Sequence, residues 1–322
     1  MSMAREMRRV RLPWMSKSSM SDTQAYNSAA LLQALEATSE AIIRTLDPML
    51  IAAEGLESRV VECMRYGVFN GGKRLRPLLV LASSELFNVA QPLALRTAAA
   101  IECIHCYSLI HDDLPAMDDD DLRRGKPTAH IAYDEATAIL AGDALQSLAF
   151  EILSCDRTHS DPNVRIELVR SLAVASGHKG MVGGQMIDIS ADPASIEENE
   201  VYRLQQLKTG MLISFACEAG AILGKASDQA RTSLRLYARD LGLAFQIVDD
   251  LLDIEGDEEH LGKAVQKDKE AGKATLVDFM GVEKSRQQAR SLADQAISHL
   301  SSFDEKATLL RAIAHFVINR QS

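Results

Sequence analysis

Turn formers and aromatic residues are scarce in this sequence. It has 8 prolines and 18 glycines among 322 residues, a single tryptophan, and only 5% aromatic residues. So little of either leaves few means to build many short strands and hairpins, and favours long helices. Cys63, Cys103, Cys106, Cys155 and Cys217 are scattered and odd in number, which excludes a small disulfide framework and suits reduced thiols in the cytoplasm. Cys103 and Cys106 form a CxxC, but no second ligand pair accompanies them for zinc. They read as small buried residues one helical turn apart. No run of about 18 apolar residues is present, so no membrane span is expected. Positive charge is in deficit, 35 Lys and Arg against 45 Asp and Glu for a net charge of −10, which excludes a general nucleic-acid surface.

The apolar fraction of 47% and charged fraction of 25% are those of an ordinary globular protein. Residues 1–21 carry Arg5, Arg8, Arg9, Arg11 and Lys17 against Glu6. With no apolar core they are not a secretory signal. They read as a basic, disordered extension, a transit segment, or the product of an early start, since Met15 and Met20 would also serve. From Asn27 onward the apolar spacing is helical. Leu31, Leu32, Leu35, Ile42, Ile43 and Leu46 recur at three and four until Asp47-Pro48 breaks the run. Pro77 opens a buried helix. Further helices are expected over 97–114 (ending at Pro115), 134–153, 164–178, 200–223, 230–254 and 283–300. No strand-period segment competes, no 20 to 50 residue repeat is visible, and nothing marks an inter-domain linker. The expectation is one all-α domain.

The acids are unevenly spread: Asp112 to Asp121 holds six in ten residues, and Asp249 to Glu259 holds seven in eleven. Like charges so close repel unless a cation joins them. In a straight helix Asp112 and Asp118 would face apart by about 120°. Pro115 cannot continue the helix ladder, and the distortion it imposes can return Asp118 to the side of Asp112. A solvated acidic loop is the alternative, but Arg123 and Arg124 follow at once. Carboxylates beside arginines fit bound Mg²⁺ plus a polyphosphate: Mg²⁺ takes carboxylate, water and phosphate oxygens, and Arg grips phosphate with a planar fork.

In Phe245-Gln-Ile-Val-Asp-Asp-Leu-Leu-Asp253, Asp249 and Asp253 are i, i+4 on one helix face, with Gln246 on the same stripe and Asp250 flanking it. Carboxylates on so apolar a helix are costly to bury unless they line a cavity or bind metal.

A third segment is Asn70-Gly-Gly-Lys-Arg-Leu-Arg-Pro77. It nearly matches a P-loop, but Arg74 stands where Ser or Thr is required and no strand precedes it. Lys73, Arg74 and Arg76 remain a compact cationic group on a Gly-rich turn, suited to an anion. His105 sits two helical turns below Asp112 on the same face. Lys208-Thr209-Gly210 interrupts a helical run, and a kink exposing a carbonyl would explain a mid-helix Gly. Gln185 and Asp188 form a polar pair at i, i+3. Lys263, Lys267 and Lys273 could form a mobile cationic lid, or a charged surface loop.

Assembled in this order, the motifs resemble those of the bacterial-type short-chain trans-prenyl diphosphate synthase family, nearest its farnesyl diphosphate synthases (geranyltranstransferases). The resemblance runs from Asn27 to the C-terminus. One departure is Gln266, where the family usually has Gly in a Gly-Lys-Asp stretch. The resemblance implies an all-helical isoprenoid synthase fold around a central cavity, with residues 22–322 as the catalytic domain, and a homodimer in the cytoplasm. It implies three Mg²⁺ ions, with Mn²⁺ able to substitute: Asp112 and Asp118 hold two, and Asp249, with Asp253 beside it, the third. Isopentenyl diphosphate would sit on Lys73, Arg76, His105 and Arg124. The allylic diphosphate, dimethylallyl or geranyl, would meet the metals with Arg123, Lys208 and Lys263.

The chemistry agrees. A leaving diphosphate develops negative charge that metals and cations stabilise. The carbocation needs a dry tunnel with a few negative dipoles, for which the Lys208 carbonyl, the Thr209 hydroxyl and the Gln246 amide oxygen are candidates. The growing chain would run along the first acidic helix away from Asp112. Ser108 lies nearly beneath Asp112 and is small; Tyr107 can reach across as the tunnel floor, stopping growth at C15, or at C10. Tyr107 as a core or dimer-interface residue is the alternative. Other readings are a geranyl or geranylgeranyl diphosphate synthase, a class I terpene cyclase, which would replace Asp-Asp-Leu-Leu-Asp by another metal motif, and a silent heteromer subunit, which tends to lose one acidic motif. Neither acidic run follows EF-hand spacing.

Overall fold

A computed structural model describes residues 28–51, 54–192, 195–255 and 274–320. Lys263, Gln266, Lys267, Lys273 and the N-terminal extension lie outside them. Among the described residues the chain is a bundle of helices: α1 (Ser28–Leu46), α2 (Ser58–Phe69), α3 (Leu75–Leu86), α4 (Gln91–Asp112), α5 (Ala129–Ala132), α6 (Glu135–Ser154), α7 (Pro162–Ser176), α8 (Met181–Ser190), α9 (Glu198–Gln205), α10 (Met211–Leu223), α11 (Asp228–Glu255), α12 (Leu276–Met280), α13 (Val282–Ser298) and α14 (Thr308–Asn319). A 3₁₀ turn at Asp47–Met49 marks the expected break at Asp47-Pro48.

Local chemistry sets these ends. Asp134 caps α6 by accepting from the Thr137 amide at 2.7 Å. Asp161 caps α7 at the Asn163 amide, with Pro162 in the first turn. Thr275 and Asp278 close a capping box at α12.

Helix α4 runs through the centre, buried along most of its length from Ala94 to Ile110, and packs on α1, α2, α3, α6 and α10. It begins earlier than its periodicity suggests and ends at Asp112 rather than Pro115. By length and composition α4 and α6 could each cross a membrane; α4 instead supplies the middle of the bundle. Helices α3 and α10 meet at their backbones. A Cβ on Gly220 would lie 2.3 Å from the Ser83 carbonyl carbon, so only glycine permits the approach.

Two features depart from a purely helical expectation. A small antiparallel pair, β1 (Leu122–Arg123) and β2 (Lys126–Pro127), follows the first acidic motif. Two residues per strand are too few to leave a period in the sequence. The run 200–223 is broken by a π-helical turn, Gln206–Gly210, so the interruption at Lys208-Thr209-Gly210 is a bulge in the helix ladder.

Candidate active site

Asp112 ends α4, and the chain turns back on itself. The amides of Met117 and Asp119 donate to the Leu114 carbonyl at 2.8 and 3.2 Å, and the Asp118 amide to the Asp112 carbonyl at 2.9 Å. Asp118 is thereby returned to Asp112, as expected from Pro115. Burial pushes the Asp112 carboxyl up to about 6; Lys208 opposes this and the Asp118 carboxylate adds to it. Arg123, on β1, donates through Nε to Asp113 Oδ1 at 2.6 Å, so one edge of its fork is already engaged.

Two elements face this loop. On α8, Asp188 accepts from Lys208 Nζ at 2.6 Å, and Lys208 stands near enough for its charge to act on Asp112. Gly184 makes this possible, since a Cβ there would lie 2.3 Å from the Lys208 amide nitrogen. Both amide atoms of Gln185 are buried without a hydrogen-bond partner. From the π turn, the Thr209 hydroxyl donates to Gln246 Oε1 at 3.2 Å, and Gln246 Nε2 to Asp250 Oδ1 at 2.9 Å. The structure therefore joins Thr209 and Gln246, which lie 37 residues apart.

On α11 Asp249, Asp250 and Asp253 divide. Asp250 is buried and also accepts from the Leu276 amide, which ties α11 to α12. Asp253 is 5% exposed. Asp249 is the open one, its side chain 41% exposed, and is paired at 2.9 Å with Arg320 Nη2. No group of three or more His, Cys, Asp or Glu side chains is assembled as a metal nest among the described residues. The carboxylates instead come in separate sets, one at the end of α4 and in the turn after it, the other on α11. Their oxygen-only chemistry, and a buried Asp112 that resists ionisation alone, fit hard divalent cations shared with a phosphate ligand.

The cationic site forms beside them. Gly71 and Gly72 adopt φ of 84° and 113°, and a Cβ on Gly72 would lie 2.6 Å from Arg124 Nη1. Only glycine suits both the backbone and the close approach. Arg124 donates to the Gly71 carbonyl. Desolvation lowers the Arg76 guanidinium, with Arg124 contributing, and lowers Lys73, with Arg320 contributing. The His105 imidazole is held well below its usual value by burial and then by Arg76, Arg124, Arg74 and Arg123. Arg76, His105 and Arg124 thus form one group that an anion would relieve, while Lys73 lies towards Arg320 and Asp249.

Arg74 is an exception to the expected cationic group. In the left-handed region at φ 52°, it turns inward and pairs with Glu102 in the core, both side chains sealed from solvent. It anchors the Gly-rich turn to α4. Tyr107 is buried and lies edge-on to His111 with ring centroids 5.7 Å apart. Ser108 returns its hydroxyl to the His105 carbonyl at 2.9 Å. Sequence reasoning did not single out Arg74 with Glu102 as a buried pair, nor His111, nor Arg320. His111 Nε2 meets the Ile139 carbonyl at 3.0 Å across α6, and a Cβ on Gly142 would strike it at 2.1 Å. No motif surrounds Arg320; only the fold reveals it.

An all-helical bundle that sets two carboxylate pairs against a separate cluster of cations has the construction of a prenyl-transferring synthase. The chain belongs to the polyprenyl synthetase family, whose model matches residues 57–314. It is 45% identical to the farnesyl diphosphate synthase of Escherichia coli (strain K12) over 295 residues, 89% of this chain and 98% of that protein. It is equally, 45%, identical to the geranylgeranyl diphosphate synthase of Cyanophora paradoxa over 264 residues, 82% of this chain and 88% of that one. The crystal structure of an FPP/GFPP synthase from Zymomonas mobilis superposes with a TM-score of 0.82 at 52% identity, covering 90% of this chain and 99% of that one. The all-α isoprenoid synthase fold expected from the motifs is therefore present.

Proposed function

We propose that this chain condenses isopentenyl diphosphate head-to-tail with dimethylallyl or geranyl diphosphate and releases farnesyl diphosphate. The observation that carries the reading is the division of the site: Arg76, Arg124 and His105, whose charges act on one another, on one side, and the carboxylates of two acidic motifs on the other. Such a site suits two polyphosphates held in different ways. Lys73, Arg76 and Arg124 bind the diphosphate of isopentenyl diphosphate, and His105, uncharged at neutral pH, contributes a ring N–H donor. Asp112 and Asp118 on one side, and Asp249 with Asp253 on the other, would hold Mg²⁺, three ions as in the family resemblance, with Mn²⁺ as a substitute. When bound, the ions neutralise charge on the departing diphosphate.

Lys208, held by Asp188, and Arg123, held by Asp113, add fixed positive charge to the allylic diphosphate. Lys263 is assigned the same role from its motif. As the allylic C–O bond breaks, its electron pair leaves with diphosphate. The Lys208 carbonyl, Thr209 Oγ1 and Gln246 Oε1 present lone pairs to the cation left behind. The alkene of isopentenyl diphosphate then forms the new C–C bond, and its proton passes to the released diphosphate.

Tyr107, with the small Ser108 beside it, sets the tunnel floor and hence C15. A C20 product is the second reading, favoured by the equal identity to a geranylgeranyl diphosphate synthase. We also infer a homodimer in the cytoplasm. Ile139 and Leu140, 43% and 57% exposed on α6, would suit a partner surface. Sedimentation of the full chain tests this: a dimer is expected, and a monomer at micromolar concentration contradicts it. Radiolabelled isopentenyl diphosphate incubated with each primer and Mg²⁺, followed by chromatography of dephosphorylated products, tests the reaction itself.

A further inference from the structure

Among the described aspartates of the second acidic motif the most open, Asp249, is paired with Arg320 just beyond α14. Arg320 follows α14 and places Nη2 2.9 Å from both Asp249 Oδ1 and the Phe245 carbonyl. Its guanidinium lies over the Phe245 ring, 3.9 Å from the centroid. The side chain is 6% exposed, and its Nε is buried with no partner. Three different interactions, with a carboxylate, a carbonyl and an aromatic face, therefore converge on one buried cation from two residues one turn apart on a single face of α11.

A guanidinium in this place does for the Asp249 carboxylate what a bound cation would do. Both cannot fully occupy the same oxygen, and the positive charges repel. The surroundings leave room for exchange. Arg320, Phe316, Gly72 and Lys73 line a cavity of about 350 Å³ together with Leu35 and Glu36 of α1.

We propose that Arg320 is a positioning residue for Asp249: an internal counter-ion that fixes and neutralises the carboxylate while the site is empty, and gives it up as a divalent cation arrives. The inference rests on the metal-dependent reading above. Binding energies are reciprocal, so a cation that displaces Arg320 must loosen α14, and removing Arg320 must tighten the cation.

The test is Mn²⁺ uptake by the full chain in the presence of inorganic pyrophosphate, counted by electron paramagnetic resonance. Wild type, Arg320→Gln and Arg320→Lys are compared, with thermal unfolding as a check on folding. Arg320→Gln should bind Mn²⁺ about fivefold or more tightly than wild type, and Arg320→Lys, which keeps the charge, should fall between them. Hydrogen exchange of wild-type residues 308–320 should speed up on adding Mn²⁺ and pyrophosphate, which decides the matter even where a variant fails to fold. Unchanged or weaker Mn²⁺ binding by a folded Arg320→Gln, or slowed exchange in α14, overturns the proposal while leaving metal dependence intact. If wild type takes up no Mn²⁺ with pyrophosphate, the metal-dependent reading falls, and this inference with it.

Discussion

The Asp118 amide donates to the Asp112 carbonyl across 2.9 Å, so the residue that ends α4 and one six positions later are fastened backbone to backbone. A carboxylate pair is thus built by a turn rather than by a helix face, and the turn depends on a proline that cannot extend α4. Because burial already raises Asp112 to about 6, the pair is poorly stabilised without a cation.

Metal dependence follows. Asp112→Ala or Asp249→Ala should lower turnover by about 10²-fold or more, as expected for loss of transition-state charge stabilisation. Excess chelator should abolish activity in the wild type. Steady-state rates with and without chelator check both, and full activity in chelator contradicts the assignment.

The two diphosphate positions should separate kinetically. Arg76 stands with His105 and Arg124, whereas Lys208 is fastened to Asp188 near Asp112. Arg76→Ala is expected to raise KM for isopentenyl diphosphate about tenfold, with a smaller effect on KM for the allylic primer. Equal rises in both would merge the two positions.

Much of this arrangement is legible in the sequence, and the reason is local. Asp249 and Asp253 share a face because they are four apart, and Asp118 returns because Pro115 lies between it and Asp112. The π turn at Lys208 announces itself by a glycine in a helical run. Arg74 shows where such reasoning stops: it sits among cations in the sequence, yet a positive φ sends it inward to Glu102, 28 residues away. Arg320 is more remote still, paired across 71 residues with no motif around it. Contacts of this kind depend on how α14 lies against α11, which helical periodicity does not encode.

Packing gives a prediction independent of the chemistry. Gly220→Ala would gain about 1 kcal/mol of helix propensity, but its Cβ would sit 2.3 Å from backbone atoms of Ser83 and Ser84. Separating α3 from α10 should cost more, for a net loss of about 1–3 kcal/mol. Chemical denaturation of the two proteins measures it, and an unchanged or raised midpoint contradicts the close approach.

Chain length should respond to Tyr107. The ring is buried against His111, one turn from Asp112, and its removal leaves a cavity that an apolar tail can enter. Tyr107→Ala should retain condensation and shift the product towards C20 or longer. An unchanged product from the active, folded variant moves the floor to Cys103, Ile104 or a facing helix.

The central claim is most directly tested by the product itself. The full chain is incubated with Mg²⁺, labelled isopentenyl diphosphate and dimethylallyl diphosphate, and the dephosphorylated products are resolved by chain length. The account predicts label in farnesol as the main product, with geraniol as the intermediate. No incorporation of label, or a cyclic hydrocarbon formed from an allylic diphosphate alone, would contradict it.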